Sequence, residues 1–477
     1  MQRQVALLGV MAMAIAGAFA GEDDAKAFVR VSPRDPRYLE LTNGKPYIPI
    51  GLNMIHPGRA GGDEAAGLAQ FDAWMKALAA HGANHLRVWL SIGFFDVEHE
   101  KAGAYDEAKA KRIDALLALG RKHGIRIKMT LEHFREIDPA SPRKTWALNP
   151  VQHASRSGPA ASTKDWFDTD PPREQFKRKL AWYAHRYGND PIVYGWELWN
   201  EVNCVHGGDY MAWSETMLAE LHKLFPRNLA MQSLGSYDGD WARDNYRRLA
   251  TMKGNDVAQV HRYLDLGAKL EVCHGPVDVL AADAVRELLA LKPERPVILA
   301  ESGAVEPRHT GPFKLYAKDK AGIILHDVLF APFFAGAAGS GQCWHWDVYV
   351  AANDLWWQFG RFAQAVKGLD PPAEGFEPLM LEHPRLRVYA LRGKHTLVLW
   401  CRDKANTWMS ELRDGQAPEE VRGATVDLGP LGALRPVASA FVYDPWANRS
   451  TPLIARQAVI ELPPFRRSIV VRLSDGR

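Results

Sequence analysis

Strand-like and helix-like patterns alternate along most of the chain, and this alternation is the strongest constraint on its fold. Residues 84–90, for example, predict a buried strand, and residues 105–123 predict an amphipathic helix after it. Such alternation predicts parallel βαβ units. About eight units over about 320 residues favour a (β/α)8 TIM barrel, an α/β fold, over an open doubly wound sheet. No glycine-rich phosphate loop follows the first strand, which argues against nucleotide binding.

The pattern changes near residue 377, where helical spacing gives way to short strands separated by turns. The predicted strands are residues 386–391, 395–401, 438–443, 458–462 and 468–473. We therefore interpret residues 377–477 as a C-terminal β-sandwich domain packed on the barrel. The barrel and a few N-terminal strands would occupy residues 21–370.

Residues 1–20 have the composition of a signal peptide. Arg3 precedes a run of apolar and small residues, and Ala18-Phe19-Ala20 is a suitable cleavage site before Gly21. The apolar run is too short to favour a transmembrane helix, so stable membrane insertion is not expected. The sequence predicts a secreted or periplasmic protein.

The charge balance excludes a large electrostatic field of one sign. The chain has 59 basic and 56 acidic residues and a net charge of +3. A nucleic-acid partner is therefore not expected. Sixteen tryptophans are many for 477 residues, and carbohydrate sites use aromatic faces. The sequence leaves the oligomeric state open.

Four cysteines are too few for a disulfide framework, even in an exported protein. Cys204 and Cys273 can form a bridge if their loops share one face of the barrel. Cys343 and Cys401 lie in predicted strands and are interpreted as buried thiols. No pair has the spacing of zinc ligands.

The stretch Val193–Glu201 reads as a buried strand that ends abruptly in the polar residues Asn200 and Glu201. An ionised glutamate is rarely buried without a partner, and the carboxyl ends of barrel strands share one rim where active sites lie. Glu301 ends a later predicted strand and would share this rim. Other polar or aromatic groups in or just after predicted strands are Arg87, His133, His261, Tyr263 and Trp344.

Paired carboxylates on one rim are suited to the cleavage of acetals. One protonates the departing oxygen, and the other attacks the anomeric carbon or activates water. The two need different pKa values, and Arg87 is placed to keep one of them charged. His261 and Tyr263 have alternate spacing on a strand, so both face the same side.

The run Trp-Glu-Leu-Trp-Asn-Glu, followed later by Val-Ile-Leu-Ala-Glu-Ser-Gly, resembles the retaining glycosidases on (β/α)8 barrels, and specifically family 5 of the glycoside hydrolases. The resemblance implies a β-glycosidase of glucan, mannan or related oligosaccharides without metal or cofactor. It implies Glu201 as acid/base and Glu301 as nucleophile. The implied substrate-binding and supporting residues are Arg87, His133, Asn200, His261, Tyr263 and Trp344.

Two other functions stay open on the sequence. One is a non-catalytic carbohydrate-binding protein on a degenerate barrel, which the intact carboxylate pair disfavours. The other is a metal-dependent barrel hydrolase with ligands among His133, His261, Glu201 and Glu301, although no tight histidine grouping supports it. Trp146 and Trp166, in the long segment after the third strand, are further candidates for sugar contacts.

Overall fold

The computed structural model of the chain describes residues 21–133, 137, 150–432, 437–453 and 458–476. The predicted signal peptide and Trp146 lie outside these ranges. Within them, no helix is both long enough and apolar enough to cross a membrane.

Parallel strands that are buried along their whole length form the barrel wall. Five of them pair in chain order in one sheet, and the last two pair with each other. Their burial on both faces explains the nearly continuous apolar runs in the sequence. The seven strands are Gly51–Asn53, His85–Trp89, Arg126–Glu132, Val193–Trp199, Leu229–Met231, Ala258–His261 and Val297–Glu301.

The eighth position of the barrel is filled by a much shorter contact than predicted. Cys343 bridges Leu52 on the first strand and Ser302 after the seventh, which joins the two ends of the wall. The strand–helix alternation predicts an eighth strand over residues 342–346, but this prediction is wrong, because the backbone N–H of Trp346 donates to the Trp344 carbonyl and a π-helix, Trp346–Ala351, begins there. The chain has therefore left the wall within two residues of Cys343.

Helices follow the strands and are bounded by recognisable caps. Asp63 and Asp106 accept backbone N–H groups at two N-termini, and Gly124 ends the second long helix at φ 68°. The long helices are Glu64–Ala80, Glu107–His123, Asp170–Tyr187, Tyr210–Leu224, Arg243–Ala250, Val277–Ala290, Ile323–Phe334 and Trp357–Val366. Shorter helices are Glu22–Lys26, Thr163–Asp168 and Pro371–Glu374.

The C-terminal part of the chain contains a six-stranded antiparallel sheet. In order across the sheet, the strands are Glu377–Leu381, Leu386–Arg392, Thr396–Asp403, Ser468–Ser474, Ser439–Asp444 and Arg449–Pro452. Smaller antiparallel pairs are Glu420–Val421 with Phe465–Arg466, and Thr425–Asp427 with Val459–Glu461. The antiparallel sheet is as expected, whereas the β-sandwich and the domain limits stay predictions. A hairpin of Val29–Val31 and Leu39–Leu41 precedes the barrel.

Alternate side chains of this sheet face two different cores. Tyr389, Trp400 and Val470 join the core of the barrel, whereas Val388 and Leu399 pack in a second, separate apolar cluster. The period of two in a strand explains this division. The sheet is therefore buried against the barrel helices on one face.

Buried ion pairs complete the contact between sheet and barrel. Arg402 donates to the Asp327 carboxylate at 2.8 and 3.1 Å, and Tyr389 donates its hydroxyl to Asp278 at 2.9 Å. Asp278 and Asp327 lie on the helices Val277–Ala290 and Ile323–Phe334. The sheet thus packs on the outside of the barrel, against these two helices.

Candidate active site

Arg87, on the second barrel strand, is the centre of a buried hydrogen-bond network. Its side chain is fully buried and donates to the carboxylates of Glu197, at 2.7 Å, and Glu301. It also donates to the side-chain oxygens of Asn200, at 2.6 Å, and Asn53, at 3.1 Å. The planar guanidinium thereby fixes four side chains, in or directly after the first, fourth and seventh strands, in one arrangement.

Glu301, the last residue of the seventh strand, receives hydrogen bonds on both carboxylate oxygens. Arg87 donates to Oε1, and the Tyr263 hydroxyl donates to Oε2 at 2.8 Å. Burial raises the pKa of Glu301, but the Arg87 charge and the Tyr263 hydrogen bond oppose that rise. These partners favour the ionised carboxylate.

Glu201 has an uncommon backbone conformation directly after the fourth strand. Its φ of 50° and ψ of 52° lie in the left-handed region, which costs a non-glycine residue about 1–3 kcal/mol. Its backbone N–H donates to the Ser233 hydroxyl at 3.1 Å. Its carboxylate oxygen Oε1 lies 2.7 Å from Nδ1 of His261 on the sixth strand. The strained residue is therefore held by neighbouring side chains at its backbone N–H and at its carboxylate.

The two carboxylates are close but differ in their surroundings. One oxygen of Glu201 and one of Glu301 lie within 4.8 Å of each other. Burial, and then the charge of Glu301, raise the pKa of Glu201 well above its ordinary value. Because Arg87 supports only Glu301 directly, the pair favours a protonated Glu201 beside an ionised Glu301. Such a pair can donate a proton to one atom of a ligand and attack another.

His261 lies between the two carboxylates and is fully buried. Its Nδ1 is 2.7 Å from Glu201 and 3.5 Å from Glu301. Burial, and then the nearby Arg87 charge, lower the pKa of His261 well below its ordinary value, so the imidazole is neutral. Its Nε2 has no hydrogen-bond partner among the described residues. His261 therefore orients Glu201 rather than adding a charge.

A cavity of about 770 Å³ opens above the carboxylate pair. Five of the residues predicted from the sequence line it, namely Asn200, Glu201, Tyr263, Glu301 and Trp344. Arg87, His133 and His261 are instead buried and hold the lining residues or their neighbours. His133, for example, stacks on Trp89 with ring centroids 4.9 Å apart, and its Nδ1 is 2.5 Å from the Ser91 hydroxyl.

Aromatic rings form one wall of this cavity. The Trp344 ring lies 5.1 Å from that of Trp89 and 6.0 Å from that of Trp346. Trp344 is partly exposed and packs on the buried core. An apolar wall beside a carboxylate pair is suited to a ligand with an apolar face and polar edges.

Several lining residues escaped sequence reasoning because they lie in loops or short helical turns without a clear periodicity. Trp241 is 52% exposed at the rim, although its sequence suggested only the start of a short helix. The sequence signal that could have identified these residues is their position after the ends of predicted strands. The other lining residues in this class are His56, Asp238, His309, Trp346, Asp347 and Val348.

One sequence expectation about the loops is wrong, and one open question has an answer. Trp166 is not a ligand contact: it is 1% exposed and packs against Phe176 and Trp199, because the helix Thr163–Asp168 turns it into the core. Cys204 and Cys273, for which the sequence left a bridge open, form no disulfide with each other. Cys204 instead places its sulfur 3.9 Å from the Glu201 carboxylate.

The spacing of the two carboxylates and His261 also tests the alternative of a catalytic metal ion. Glu201, His261 and Glu301 offer ligand atoms within 4.8 Å of one another. Among the described residues, His133 is not part of this group. Arg87 donates to one of the three, Glu301, and its positive charge opposes a second cation there. Protein groups already contact Nδ1 of His261 and both carboxylate oxygens of Glu301.

Replacing Arg87 by Met is expected to lower the free energy of unfolding by about 3–5 kcal/mol, because Glu301 would remain buried without its cation and Glu197 would keep only Lys128, at 3.3 Å. Urea unfolding followed by circular dichroism would measure the change. Arg112→Met is the matched control, since Arg112 pairs with Glu64 at the surface and should cost less than about 1 kcal/mol. Equal losses in the two variants would contradict the buried network.

The chain resembles known proteins in sequence. The sequence model of the cellulase family, glycosyl hydrolase family 5, matches residues 54–319, which is more than half of the chain. Mannan endo-1,4-beta-mannosidase 7 of Arabidopsis thaliana is 23% identical over 371 residues, covering 70% of this chain and 78% of that protein. A putative mannan endo-1,4-beta-mannosidase 9 of Oryza sativa is 25% identical over 386 residues, covering 73% and 89%.

A solved structure extends the likeness to the C-terminal part. The crystal structure of a glycoside hydrolase family 5 protein from Bacteroides vulgatus has a TM-score of 0.55 and 14% sequence identity. The match covers 94% of this chain and 93% of that one. At this identity the likeness concerns the fold alone, and it supports the (β/α)8 barrel.

Proposed function

Because the chain belongs to glycosyl hydrolase family 5, and is therefore a hydrolase of O-glycosyl bonds in β-glycans, we propose that it cleaves β-1,4-linked mannan with retention of anomeric configuration. Glu301 is the proposed nucleophile and Glu201 the proposed acid/base. The substrate follows from the relatives, which are named as mannan endo-1,4-beta-mannosidases.

The observation that carries the mechanism is the spacing of the carboxylate pair. Oxygens of Glu201 and Glu301 lie within 4.8 Å of each other. Retaining glycosidases hold their two carboxyl groups about 5–5.5 Å apart, whereas inverting enzymes need about 6.5–9.5 Å to admit a water molecule. The close pair therefore supports direct attack by a carboxylate. The same intact pair disfavours a protein that only binds carbohydrate.

In the first step, an oxygen of Glu301 forms a bond to the anomeric carbon while the bond from that carbon to the leaving oxygen breaks. The proton of Glu201 goes to the leaving oxygen, so that the sugar departs as an alcohol. The raised pKa of Glu201 supports this proton donation, and the Arg87 and Tyr263 hydrogen bonds support an ionised Glu301. The product is a glycosyl ester on Glu301.

In the second step, Glu201 is ionised and takes a proton from water. The water oxygen attacks the anomeric carbon, the ester bond to Glu301 breaks, and both carboxyl groups regain their first state. His261, whose Nδ1 is 2.7 Å from Glu201 and 3.5 Å from Glu301, is a neutral group that faces both residues. Two inversions at one carbon give net retention.

The proposed sugar contacts follow from the cavity wall. Arg87 donates to the Asn200 side-chain oxygen, which leaves the amide N–H₂ group of Asn200 as a donor toward a sugar hydroxyl. Trp344 offers its ring to the apolar face of a sugar in the cavity. Export through the proposed signal peptide, residues 1–20, is consistent with a polymer substrate outside the cytoplasm.

A hydrolysis screen with sizing of the products tests the substrate. We expect kcat/KM on β-1,4-mannan to exceed that on a β-1,4-glucan by at least about 10-fold, because the two differ in the hydroxyl nearest the reacting carbon. Reaction of a β-aryl mannoside in methanol should give the β-methyl mannoside. Equal rates on glucan would overturn the choice of mannan, and an α-product would overturn retention.

A further inference from the structure

A second cluster of ligating side chains lies at the rim of the cavity, outside the carboxylate pair. Asp238, Asp265 and His309 offer two carboxylate oxygens and one imidazole nitrogen within 4.8 Å of one another. The three residues come from the loops after the fifth, sixth and seventh barrel strands. Asp238 and His309 also line the cavity.

Asp265 is the buried member of the cluster, and only one of its oxygens is used. Its side chain is 1% exposed. Oδ1 accepts the backbone N–H groups of Gly267, at 2.7 Å, and Arg308, at 3.0 Å. Oδ2 has no hydrogen-bond partner among the described residues. A buried carboxylate oxygen without a protein partner is costly, and this one is available to a further ligand.

The unused oxygen is directed at the imidazole. Nε2 of His309 lies 3.6 Å from Asp265 Oδ2, which is too long for a hydrogen bond. Arg308 and His309 both have left-handed backbones, with φ of 62° and 57°. This turn places the Arg308 N–H on Asp265 Oδ1 and leaves the His309 ring beside Oδ2. The gap between Oδ2 and Nε2 is wide enough for an ion that both would bind.

Asp238 completes the set from the loop after the fifth strand. It is half-buried, and its Oδ1 accepts a hydrogen bond of 3.3 Å from the Trp241 ring N–H. Two carboxylates and an imidazole at this spacing are the surroundings that a dication would stabilise.

We propose that Asp238, Asp265 and His309 bind a divalent transition-metal ion of the Zn²⁺ type. Mixed carboxylate and imidazole ligands suit Zn²⁺ and similar ions, whereas Ca²⁺ and Mg²⁺ prefer oxygen alone. The side of the cluster that faces the cavity leaves room for water as a further ligand. The ion joins three rim loops next to Tyr263, whose ring lies 5.2 Å from that of His309. The proposal does not depend on the proposed substrate or on any step of the reaction.

Equilibrium dialysis of the metal-free full chain against ZnCl₂, with metal analysis, tests the site. The variant E301Q is the reference protein, because it disrupts the other ligating group of Glu201, His261 and Glu301. We expect E301Q to bind one Zn²⁺ ion, and E301Q/D265N and E301Q/H309Q to bind it at least about 10-fold more weakly. CaCl₂ should bind more weakly than ZnCl₂ to E301Q.

Thermal unfolding gives a second readout, since an ion that binds only the folded state raises Tm. ZnCl₂ should raise the Tm of E301Q and of E301Q/H206Q, in which an exposed histidine outside the cluster is changed. It should not raise that of E301Q/H309Q, a surface change that is expected to fold. Absence of Zn²⁺ binding by E301Q, or equal binding by E301Q and E301Q/H309Q, would overturn the proposal.

Discussion

Replacing Glu301 by Gln is expected to reduce hydrolysis of mannan and of aryl mannosides by a factor on the order of 10⁴–10⁶. Glutamine keeps the shape of the side chain and can still accept from Arg87, but its amide oxygen does not form a stable bond to the anomeric carbon. The loss should fall on kcat for every leaving group, because no glycosyl ester forms. Steady-state rates on an aryl mannoside and on mannan would measure it.

The matched control is Glu306→Gln, five residues later in the same rim loop. Glu306 pairs with Lys314 rather than with the catalytic network, and its replacement should leave kcat within about a factor of two. Urea unfolding of both variants separates lost chemistry from lost folding. Retention of more than a few per cent of wild-type activity in Glu301→Gln would exclude Glu301 as the nucleophile.

A small external nucleophile identifies more specifically which reaction step the Glu301 variant has lost. In Glu301→Ala, azide can occupy the space of the lost carboxylate and attack the anomeric carbon once. A β-aryl mannoside should then give the α-mannosyl azide. The azide product of any Glu201 variant should keep the β configuration, since Glu301 still attacks first. A β-azide from Glu301→Ala would contradict the assignment of the two carboxylates.

The sequence predicts the barrel wall well where strands are long and buried. The strands Val193–Trp199 and Val297–Glu301 form where the sequence predicts a buried strand that leads into Asn200 and Glu201 and one that ends at Glu301, because a continuous apolar run between turn signals has one interpretation. The contact at Cys343 could not be predicted as it is. It consists of two isolated bridges rather than a ladder, and only the neighbouring strands determine it.

The buried residues of the site could also be predicted from the sequence, whereas its exposed residues could not. Arg87, Glu201 and Glu301 lie in or directly after buried strands, where charged residues are rare. Each one is therefore conspicuous in the sequence. Asp238 and His309 lie in irregular loops, where charged residues are ordinary. Their proximity results from how three loops fold over one rim, which no local pattern encodes.

The left-handed conformation of Glu201 is a further feature that the sequence does not reveal. Asn and Asp, rather than Glu, are the non-glycine residues that favour this region. The hydrogen bond from its N–H to Ser233 and the contact with His261 hold the strained residue in place. Strain at this position is consistent with a role for Glu201 in the reaction and not in the fold.

Replacing Glu201 by Ala or Gln is expected to slow mannan hydrolysis by a factor on the order of 10²–10⁴, which is the usual contribution of general acid–base catalysis. The loss of the first step should be much smaller for an aryl mannoside with an acidic phenol, because such a leaving group departs without a proton. Pre-steady-state release of the phenol should then appear as a burst, followed by slow hydrolysis of the ester. Equal losses on both substrates, with no burst, would contradict the acid/base role.

The pH profile gives an independent test of Glu201. Its carboxyl must be protonated in the first step, and burial together with the Glu301 charge raises its pKa. In the wild type, kcat/KM for mannan should therefore fall as pH rises through this raised pKa, above the range of an ordinary glutamate. Glu201→Gln removes the titrating group, so this alkaline decline should disappear, whereas the exposed control Glu215→Gln should keep it. An unchanged decline in Glu201→Gln would assign the proton to another residue.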